Sequence, residues 1–195
     1  MPHITLEEHL PGITGLLEYR LDTAFPIRDL TQILLRGPSS LSEAEREMIA
    51  TVVSAGNGCK FCTAAHTAAT DILLGESQTS NLILTNLADA PISDKMKTLL
   101  EIAKAVQLSG KNVTGELIDK VKNQGATDLE IHDTVLIAAL FCLYNKYVDG
   151  LASVTPTEPG YYQALGEKIV NQGYLRSQPT EYQSTVKAGQ DPFDH

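Results

Sequence analysis

The sequence carries little positive charge and contains no long hydrophobic run. Its 15 basic and 24 acidic side chains give a formal net charge of -9, and no cluster of Lys or Arg offsets this charge locally. Such a surface repels a phosphate backbone, which argues against a nucleic-acid partner. The longest uninterrupted apolar stretch, residues 135–143, has nine residues, about half of what a membrane-spanning helix needs. We therefore expect neither nucleic acid nor a membrane among the partners of this protein.

The amino-terminal segment MPHITLEEHL lacks the basic region and the apolar stretch that together mark an export signal. We therefore expect a cytoplasmic protein, in a compartment where thiols are kept reduced. The chain has only three cysteines, and two of them lie three residues apart. In a reducing compartment such a pair indicates catalysis or metal binding rather than a permanent cross-link.

The pattern of the chain predicts helices and very little strand. Ser42 followed by Glu45 has the spacing of a capping box, so a helix is expected from about residue 43 to 55, ending at the GNG segment. Thr127 with Glu130 forms a second candidate capping box. Other helices are expected near residues 22–35, 59–74, 94–110, 114–125 and 127–152, from their apolar spacing and good helix formers. The fold class predicted is all-α, with six to eight helices.

The length of 195 residues and a hydrophobic content of 43% favour one domain with a continuous core. We place that domain at residues 1–176 and assign residues 177–195 to a polar C-terminal tail. Shifting the second half by 85 residues places Thr127 on Ser42 and Tyr144 on Cys59, which indicates an internal repeat of one helical unit. Two similarly capped amphipathic helices would give the same match without duplication.

The segment NGCKFCTAAH contains the most informative residues of the chain. Side chains three and four positions apart lie on one face of a helix, so Cys59, Cys62 and His66 are expected to form one stripe. The partial positive charge at a helix N-terminus favours a thiolate and lowers the pKa of a cysteine. An imidazole one turn away from Cys62 is able to accept its proton near neutral pH.

Glu47 is a candidate partner for the imidazole. It lies on the preceding helix, twelve positions before Cys59, and packing of the two helices could return its carboxylate to the site. The alternative is a solvated glutamate that favours the dipole in the first turns of its helix.

The pattern E-x11-C-x2-C-x3-H, formed by Glu47, Cys59, Cys62 and His66, resembles the signature of AhpD-like alkylhydroperoxidases in the carboxymuconolactone decarboxylase superfamily. The stretches PGITGLLEYR and LYNKYVDGL are similar to its peroxidase-related branch. The resemblance implies an AhpD-like helical fold, assembly as trimers or hexamers, and no metal or organic cofactor. It also implies that an organic hydroperoxide is the substrate and that an external dithiol restores the enzyme. Glu47 would be the ultimate base, His66 its relay, and the two cysteines the redox pair.

One position departs from that resemblance. Better-characterised members resemble C-x-H-C, with a second relay histidine directly before the second cysteine, whereas this chain has Phe61 there. The order of attack stays open at this point: proximity to His66 favours Cys62 as the attacking thiol, whereas the N-terminal helix position favours Cys59. We favour Cys62.

Four further residues are candidates for the substrate pocket: Phe61, Tyr144, Asn145 and Asp149. The last three belong to the stretch LYNKYVDGL. In the alternative interpretation the tyrosines of this stretch pack in the core while Asn145 and Asp149 end a helix.

Other interpretations of the motif compete with a thiol peroxidase. Zinc could be bound by Cys59, Cys62 and His66 with a fourth ligand from Glu47, His132 or Cys142, but structural zinc sites normally have a second, well-spaced pair of ligands. The chain could also be a non-catalytic assembly module, or a decarboxylase-like enzyme that acts on a small carboxylate. We expect Cys142, inside its apolar run, to be a buried, inert thiol.

Overall fold

A computed structural model describes residues 1–176 of the chain, and the predicted tail, 177–195, lies outside these described residues. Within them the fold has nine α-helices, two short 3₁₀ turns and no β-strand. The helices are α1 (Ile13–Tyr19), α2 (Leu21–Arg36), α3 (Glu43–Gly56), α4 (Lys60–Leu74), α5 (Gln78–Thr85), α6 (Asp94–Leu108), α7 (Gly115–Asn123), α8 (Asp128–Gly150) and α9 (Pro159–Gln172). The all-α prediction is confirmed, and the number of helices exceeds the six to eight expected.

Both predicted capping boxes are present. The Ser42 hydroxyl accepts a hydrogen bond from the Glu45 backbone N–H at 3.2 Å, and the Glu45 carboxylate accepts one from the Ser42 N–H at 2.8 Å. Thr127 and Glu130 make the same pair of bonds at 3.2 and 2.8 Å. These bonds satisfy backbone N–H groups that a helix start leaves without partners, which is why α3 and α8 begin as predicted.

The two helices that suggested an internal repeat diverge after this start. α3 ends at Gly56, before Cys59, whereas α8 continues without interruption through Tyr144 to Gly150. The similarity therefore extends to the caps and the first turns but not to the position of the thiols.

Helices α1, α5 and α9 were not predicted individually. α1 and α5 have only seven and eight residues, too short for a clear apolar period. α9 begins with Pro159 and ends before Gly173, whose φ is +70°. Proline in the first turn and glycine after the last residue mark helix ends, so the sequence carries a local signal for both ends of α9.

Helix α3 lies at the centre of the fold and packs against α4, α6 and α8. Every residue from Arg46 to Ser54 is buried, as expected of a helix surrounded on all sides. Burial of a charged side chain is costly unless it is paired or hydrogen-bonded. Arg46 meets this need through the backbone carbonyls of Leu34 and Gly37, at 3.2 and 2.9 Å. The other buried charge of α3, Glu47, belongs to the candidate site.

No helix in the described part of the chain combines the length and the apolar composition required to cross a membrane.

Candidate active site

Glu47 and His66 are brought together at the contact between α3 and α4. His66 Nδ1 lies 2.7 Å from Glu47 Oε2, and both side chains are buried. An ionised carboxylate only accepts hydrogen bonds, so this geometry assigns the proton of a neutral His66 to Nδ1. The Nε2 atom is then the ring nitrogen with a free lone pair for accepting a proton.

Two residues that were not predicted from the sequence, Arg36 and Tyr174, bind the other carboxylate oxygen of Glu47, Oε1. Arg36 Nη2 lies 2.6 Å from Oε1, and the Tyr174 hydroxyl donates a hydrogen bond to the same oxygen. The Arg36 guanidinium also lies over the Tyr174 ring, 5.1 Å from its centroid. Burial opposes ionisation of Glu47, but His66, Arg36 and Tyr174 together hold its pKa below the usual value. Glu47 is therefore a buried carboxylate that stays charged.

The two thiols lie at the start of α4. Cys59 is the N-cap residue, one position outside the helix, rather than part of the first turn as expected. Its side chain shares a hydrogen bond with that of Cys62. This bond lowers the pKa of Cys59, against the opposing effect of burial, and it raises the pKa of Cys62 together with burial. Both side chains are buried, free thiols.

Helix α8 contributes two polar groups to the thiol pair. The Asn145 side chain opposes the rise in the Cys62 pKa through a hydrogen bond, although the bond to Cys59 and burial outweigh it. Asn145 is held in place by Asn57, at 2.8 Å, and by Ser54, at 3.1 Å. Asp149 acts in the opposite direction to Cys62 and raises the pKa of Cys59. Asn145 and Asp149 therefore affect the protonation of the thiol pair, and their assignment to a substrate pocket stays a prediction.

A cavity of about 360 Å³ opens onto the site. Cys62 and His66 both line it, and so do Phe61 and Tyr144, two of the four residues proposed for a substrate pocket. Cys59 is not among the lining residues. The cavity therefore gives a ligand access to one thiol of the pair and to the imidazole.

Tyr144 also packs in the core, as the alternative interpretation held. Its ring lies 5.7 Å from that of Phe141, centroid to centroid, and its hydroxyl lies 2.5 Å from that of Thr31. Burial raises the pKa of Tyr144 to about 12. The residue is therefore a neutral hydrogen-bonding group in the wall of the cavity.

Phe61 forms an apolar wall at the position where better-characterised members of the resembled family have a second relay histidine. Its ring packs against Tyr161 and Tyr162, with centroid distances of 6.3 and 5.9 Å. The ring also lies against the backbone of Gly12, where a Cβ atom would lie only 2.2 Å from it. A phenyl ring has no proton to exchange, so proton transfer on this side of Cys62 depends on His66.

The remaining candidates of the sequence analysis lie elsewhere. Cys142 is half-buried, not buried as expected, and its Sγ lies 4.0 Å from the Gln107 carbonyl oxygen. The exposed His132 pairs with Asp133 at 2.9 Å. In residues 1–176, no three side chains of His, Cys, Asp or Glu are grouped in a way that could hold a metal ion.

Comparisons with known proteins agree with this fold. Residues 27–105 match the model of the carboxymuconolactone decarboxylase family. The matched stretch contains Arg36, Glu47, Cys59, Cys62 and His66. No curated protein is similar enough to this sequence to count as a match.

Several solved structures have the same architecture. An uncharacterized peroxidase-related protein from Silicibacter sp. TM1040 shares 26% sequence identity at a TM-score of 0.69, over 76% of this chain and 78% of that protein. An uncharacterized peroxidase-related protein from Ralstonia eutropha JMP134, an alkylhydroperoxidase AhpD core, shares 24% identity at a TM-score of 0.71, over 80% of each chain. A protein of unknown function from Agrobacterium tumefaciens shares 18% identity at a TM-score of 0.62, over 74% of this chain and 97% of that one. The last two likenesses, below 25% identity, show the fold alone.

Proposed function

We propose that this chain, whose residues 27–105 match the carboxymuconolactone decarboxylase family, is a thiol-dependent hydroperoxide reductase of the AhpD-like type. The observation that carries the proposal is the placement of Cys62 and His66 in one cavity, with His66 held by Glu47 at 2.7 Å. A nucleophilic sulfur, a base and a group that orients the base are the parts needed to activate a nucleophile.

The first step oxidises Cys62. His66 Nε2 takes a proton from the hydrogen-bonded thiol pair, and the remaining proton is shared between the two sulfurs. Cys62 is the sulfur that lines the cavity, so its thiolate attacks the terminal oxygen of the hydroperoxide. The O–O bond breaks, Cys62 becomes a sulfenic acid, and the alkoxide takes the proton of His66 to leave as the alcohol.

The second step forms the disulfide. The Cys59 thiol loses its proton and attacks the sulfur of Cys62, and the hydroxide that leaves combines with that proton to give water. The two thiols interact in the reduced protein, where each shifts the pKa of the other, and this supports formation of the disulfide between them. An external dithiol then returns both cysteines to thiols by exchange and is itself oxidised to a disulfide.

Glu47 acts in this scheme as a positioning residue rather than as the ultimate base that the resemblance implied. Three donors converge on its carboxylate, and its pKa is lowered. A carboxylate in that state is a poor proton acceptor. It fixes the tautomer of His66 and stabilises the imidazolium that forms when Nε2 accepts a proton.

Mass measurement after one equivalent of cumene hydroperoxide tests the proposed reaction. Disulfide formation removes two hydrogen atoms from the peptide that contains both Cys59 and Cys62. The Cys62→Ser variant cannot form this disulfide and should keep its mass. If the mass of the wild-type peptide is unchanged and the peroxide is not consumed, the proposal is wrong.

The alternatives from the sequence analysis give a different result in this experiment. A decarboxylase-like enzyme acting on a small carboxylate would leave the thiols reduced while it releases carbon dioxide from its substrate. A non-catalytic assembly module would consume neither compound. The buried ion pair at Glu47 and the cavity favour an enzyme over a module, because both place charged and reactive groups where a ligand has access.

Assembly as a trimer or hexamer is also a proposal. Phe25 and Ile33 of α2 are exposed to 48% and 66%, and their spacing of eight places them on the same face of the helix. Exposed apolar side chains that share a face are typical of interaction surfaces. Light scattering on the wild type and on Ile33→Ser tests this: the wild type should be oligomeric and the variant should dissociate more readily.

A further inference from the structure

The cavity contains a cluster of charges that the proposed redox chemistry does not use. Two guanidinium groups share the carboxylate of Glu18 at its wall. Arg28 Nη2 lies 3.0 Å from Glu18 Oε1, and Arg176 Nη2 lies 3.0 Å from Glu18 Oε2. All three side chains line the cavity and are at most 15% exposed. The exposed Lys168 adds another positive charge to the lining.

The charge of this cavity is opposite to that of the protein. The described residues of the lining include three cationic side chains, Arg28, Lys168 and Arg176, and one acidic side chain, Glu18. The chain as a whole carries -9. A positive cavity within a negative protein attracts anionic ligands and selects them from neutral ones.

Arg28 has an unused donor. Its Nε atom is buried and has no hydrogen-bond partner among the described residues. Burial lowers the pKa of Arg28, and the opposing effect of Glu18 offsets this only in part, while the nearby charge of Arg176 adds to the lowering. A guanidinium in this state gains from a further anionic acceptor, because hydrogen bonds to a charged group are the strong ones.

Tyr174 connects this cluster to the imidazole. Its carbonyl oxygen accepts a hydrogen bond from Arg28 Nη1 at 3.4 Å, and its ring stacks beside His66 with a centroid distance of 6.2 Å. A ligand held by Arg28 therefore lies one residue away from the group that exchanges protons with Cys62. The rest of the cavity lining is largely apolar and includes Leu17, Phe61, Phe141, Leu165 and Ile169.

We propose that the cavity takes an organic hydroperoxide that also carries a carboxylate, with the carboxylate held by Arg28 and the peroxide group directed at Cys62. This inference rests on the proposed peroxidase function and adds the class of substrate. The volume of about 360 Å³ fits a small organic acid, at the lower end of the range of about 300–1,000 Å³ for ligand sites. The apolar wall contacts the hydrocarbon part between the two polar ends.

A matched pair of substrates tests the anion site. The acid is cumene hydroperoxide with a carboxyl group in the para position, and its methyl ester differs only in lacking the charge. We expect kcat/KM for the acid to exceed that for the ester by about 10- to 100-fold, the range for hydrogen bonds to charged groups. In Arg28→Gln this ratio should fall to near one. Equal rates for acid and ester in the wild type would overturn the proposal.

A binding measurement separates the anion site from the peroxidase chemistry. Calorimetry with 4-isopropylbenzoate, which has no peroxide group, should show binding to the wild type that weakens by about 10- to 100-fold in Arg28→Gln. If this binding is observed but neither peroxide oxidises the thiols, the anion site is supported and the peroxidase function is rejected. If both peroxides oxidise the thiols equally well and binding does not depend on Arg28, the peroxidase function is supported and the anion site is rejected.

Control variants guard against a loss of folding. Arg20→Gln removes an exposed guanidinium that pairs with Asp22, and it should leave the binding of 4-isopropylbenzoate unchanged. Thermal denaturation shows whether Arg28→Gln is folded. If it is not, Arg28→Lys, which keeps the charge but not the fork, and the exposed Lys168→Gln take its place. Both should weaken binding by at least about threefold, and wild-type affinity in both variants would overturn the proposal.

Discussion

Arg36 and His66 bind opposite oxygens of one buried carboxylate. Arg36 Nη2 lies 2.6 Å from Glu47 Oε1, and His66 Nδ1 lies 2.7 Å from Glu47 Oε2. The arginine side chain is 5% exposed and the glutamate is fully buried. The guanidinium balances the charge of Glu47, so the carboxylate stays ionised in the interior and is available to hold the imidazole.

Replacement of Arg36 should shift the pH dependence of peroxide reduction. Arg36 is one of the groups that lower the pKa of Glu47, so Arg36→Gln raises it. Once Glu47 is protonated, it no longer accepts the hydrogen bond from His66 Nδ1–H as a charged group. On acidification, the variant should therefore lose activity at a higher pH than the wild type does. The measurement is kcat/KM against pH for wild type, Arg36→Gln and Arg36→Lys. The lysine variant keeps the charge and should stay close to the wild-type profile; an identical acid limb in the glutamine variant contradicts the prediction.

Glu47→Gln should change the pH dependence of stability. A carboxylate whose folded-state pKa lies below its usual value of 4.5 stabilises the fold at pH above 4.5, and this stabilisation is lost as the pH falls through the folded pKa. The variant lacks this contribution. It also leaves Arg36 without its nearest counter-charge, which costs about 3 kcal/mol at pH 7.

Urea unfolding of wild type and Glu47→Gln between pH 3 and pH 8, a range set to bracket the carboxylate pKa of about 4, measures both effects. The free energy of unfolding should differ most at neutral pH, and the two curves should approach each other in acid. A constant difference across the range would show that Glu47 does not titrate with folding.

Peroxide should give different oxidation products when one or the other cysteine is replaced. Cys62 lines the cavity and Cys59 does not, so Cys59→Ser should stop the reaction at a sulfenic acid on Cys62. Cys62→Ser should give no sulfenic acid, even though Cys59 is the thiol with the lowered pKa. Labelling with dimedone followed by peptide mass spectrometry distinguishes these outcomes. Cys142→Ser is the matched control and should react like the wild type; a label on Cys59 in Cys62→Ser would assign the attack to the other sulfur.

Gly12 should be intolerant of any side chain. Its φ of 61° and ψ of -140° belong to a region open only to glycine, and a Cβ atom would lie 2.2 Å from the Phe61 ring. Gly75 also has a positive φ, 71°, but a Cβ atom added there would have no neighbour within 4 Å. Gly75→Ala therefore reports the strain of the left-handed region without a clash, about 1 kcal/mol. Gly12→Ala should cost about 3 kcal/mol, because its backbone region is more restricted and overpacking adds to the strain. Equal losses in urea unfolding would exclude the clash.

Local rules explain which parts of the fold could be predicted. The helix starts at Ser42 and Thr127 depend on residues three positions apart, and the stripe of Cys59, Cys62 and His66 depends on helix geometry alone. Each of these patterns is complete within a few residues of sequence. The likeness to AhpD-like proteins then added Glu47, which periodicity could not distinguish from a solvated residue.

The partners of Glu47 could not be predicted in the same way. Tyr174 is 127 positions distant along the chain, and nothing in its neighbourhood marks it as part of a site. The ion pair between Arg28 and Glu18 and the hydrogen bonds of Asn145 likewise join separate helices. Such contacts are fixed by tertiary packing, for which a single sequence has no short-range pattern.

The hydrogen bond from Tyr174 to Glu47 also has a consequence for the newly made protein. A ribosome synthesises Glu47 well before it reaches Tyr174, which lies 127 positions further along the chain, and Cys59, Cys62 and His66 all precede Tyr174 as well. The nascent chain therefore carries its reactive sulfurs for a time before their hydrogen-bond network is complete. Maturation of this site is coupled to synthesis of the segment that contains Tyr174.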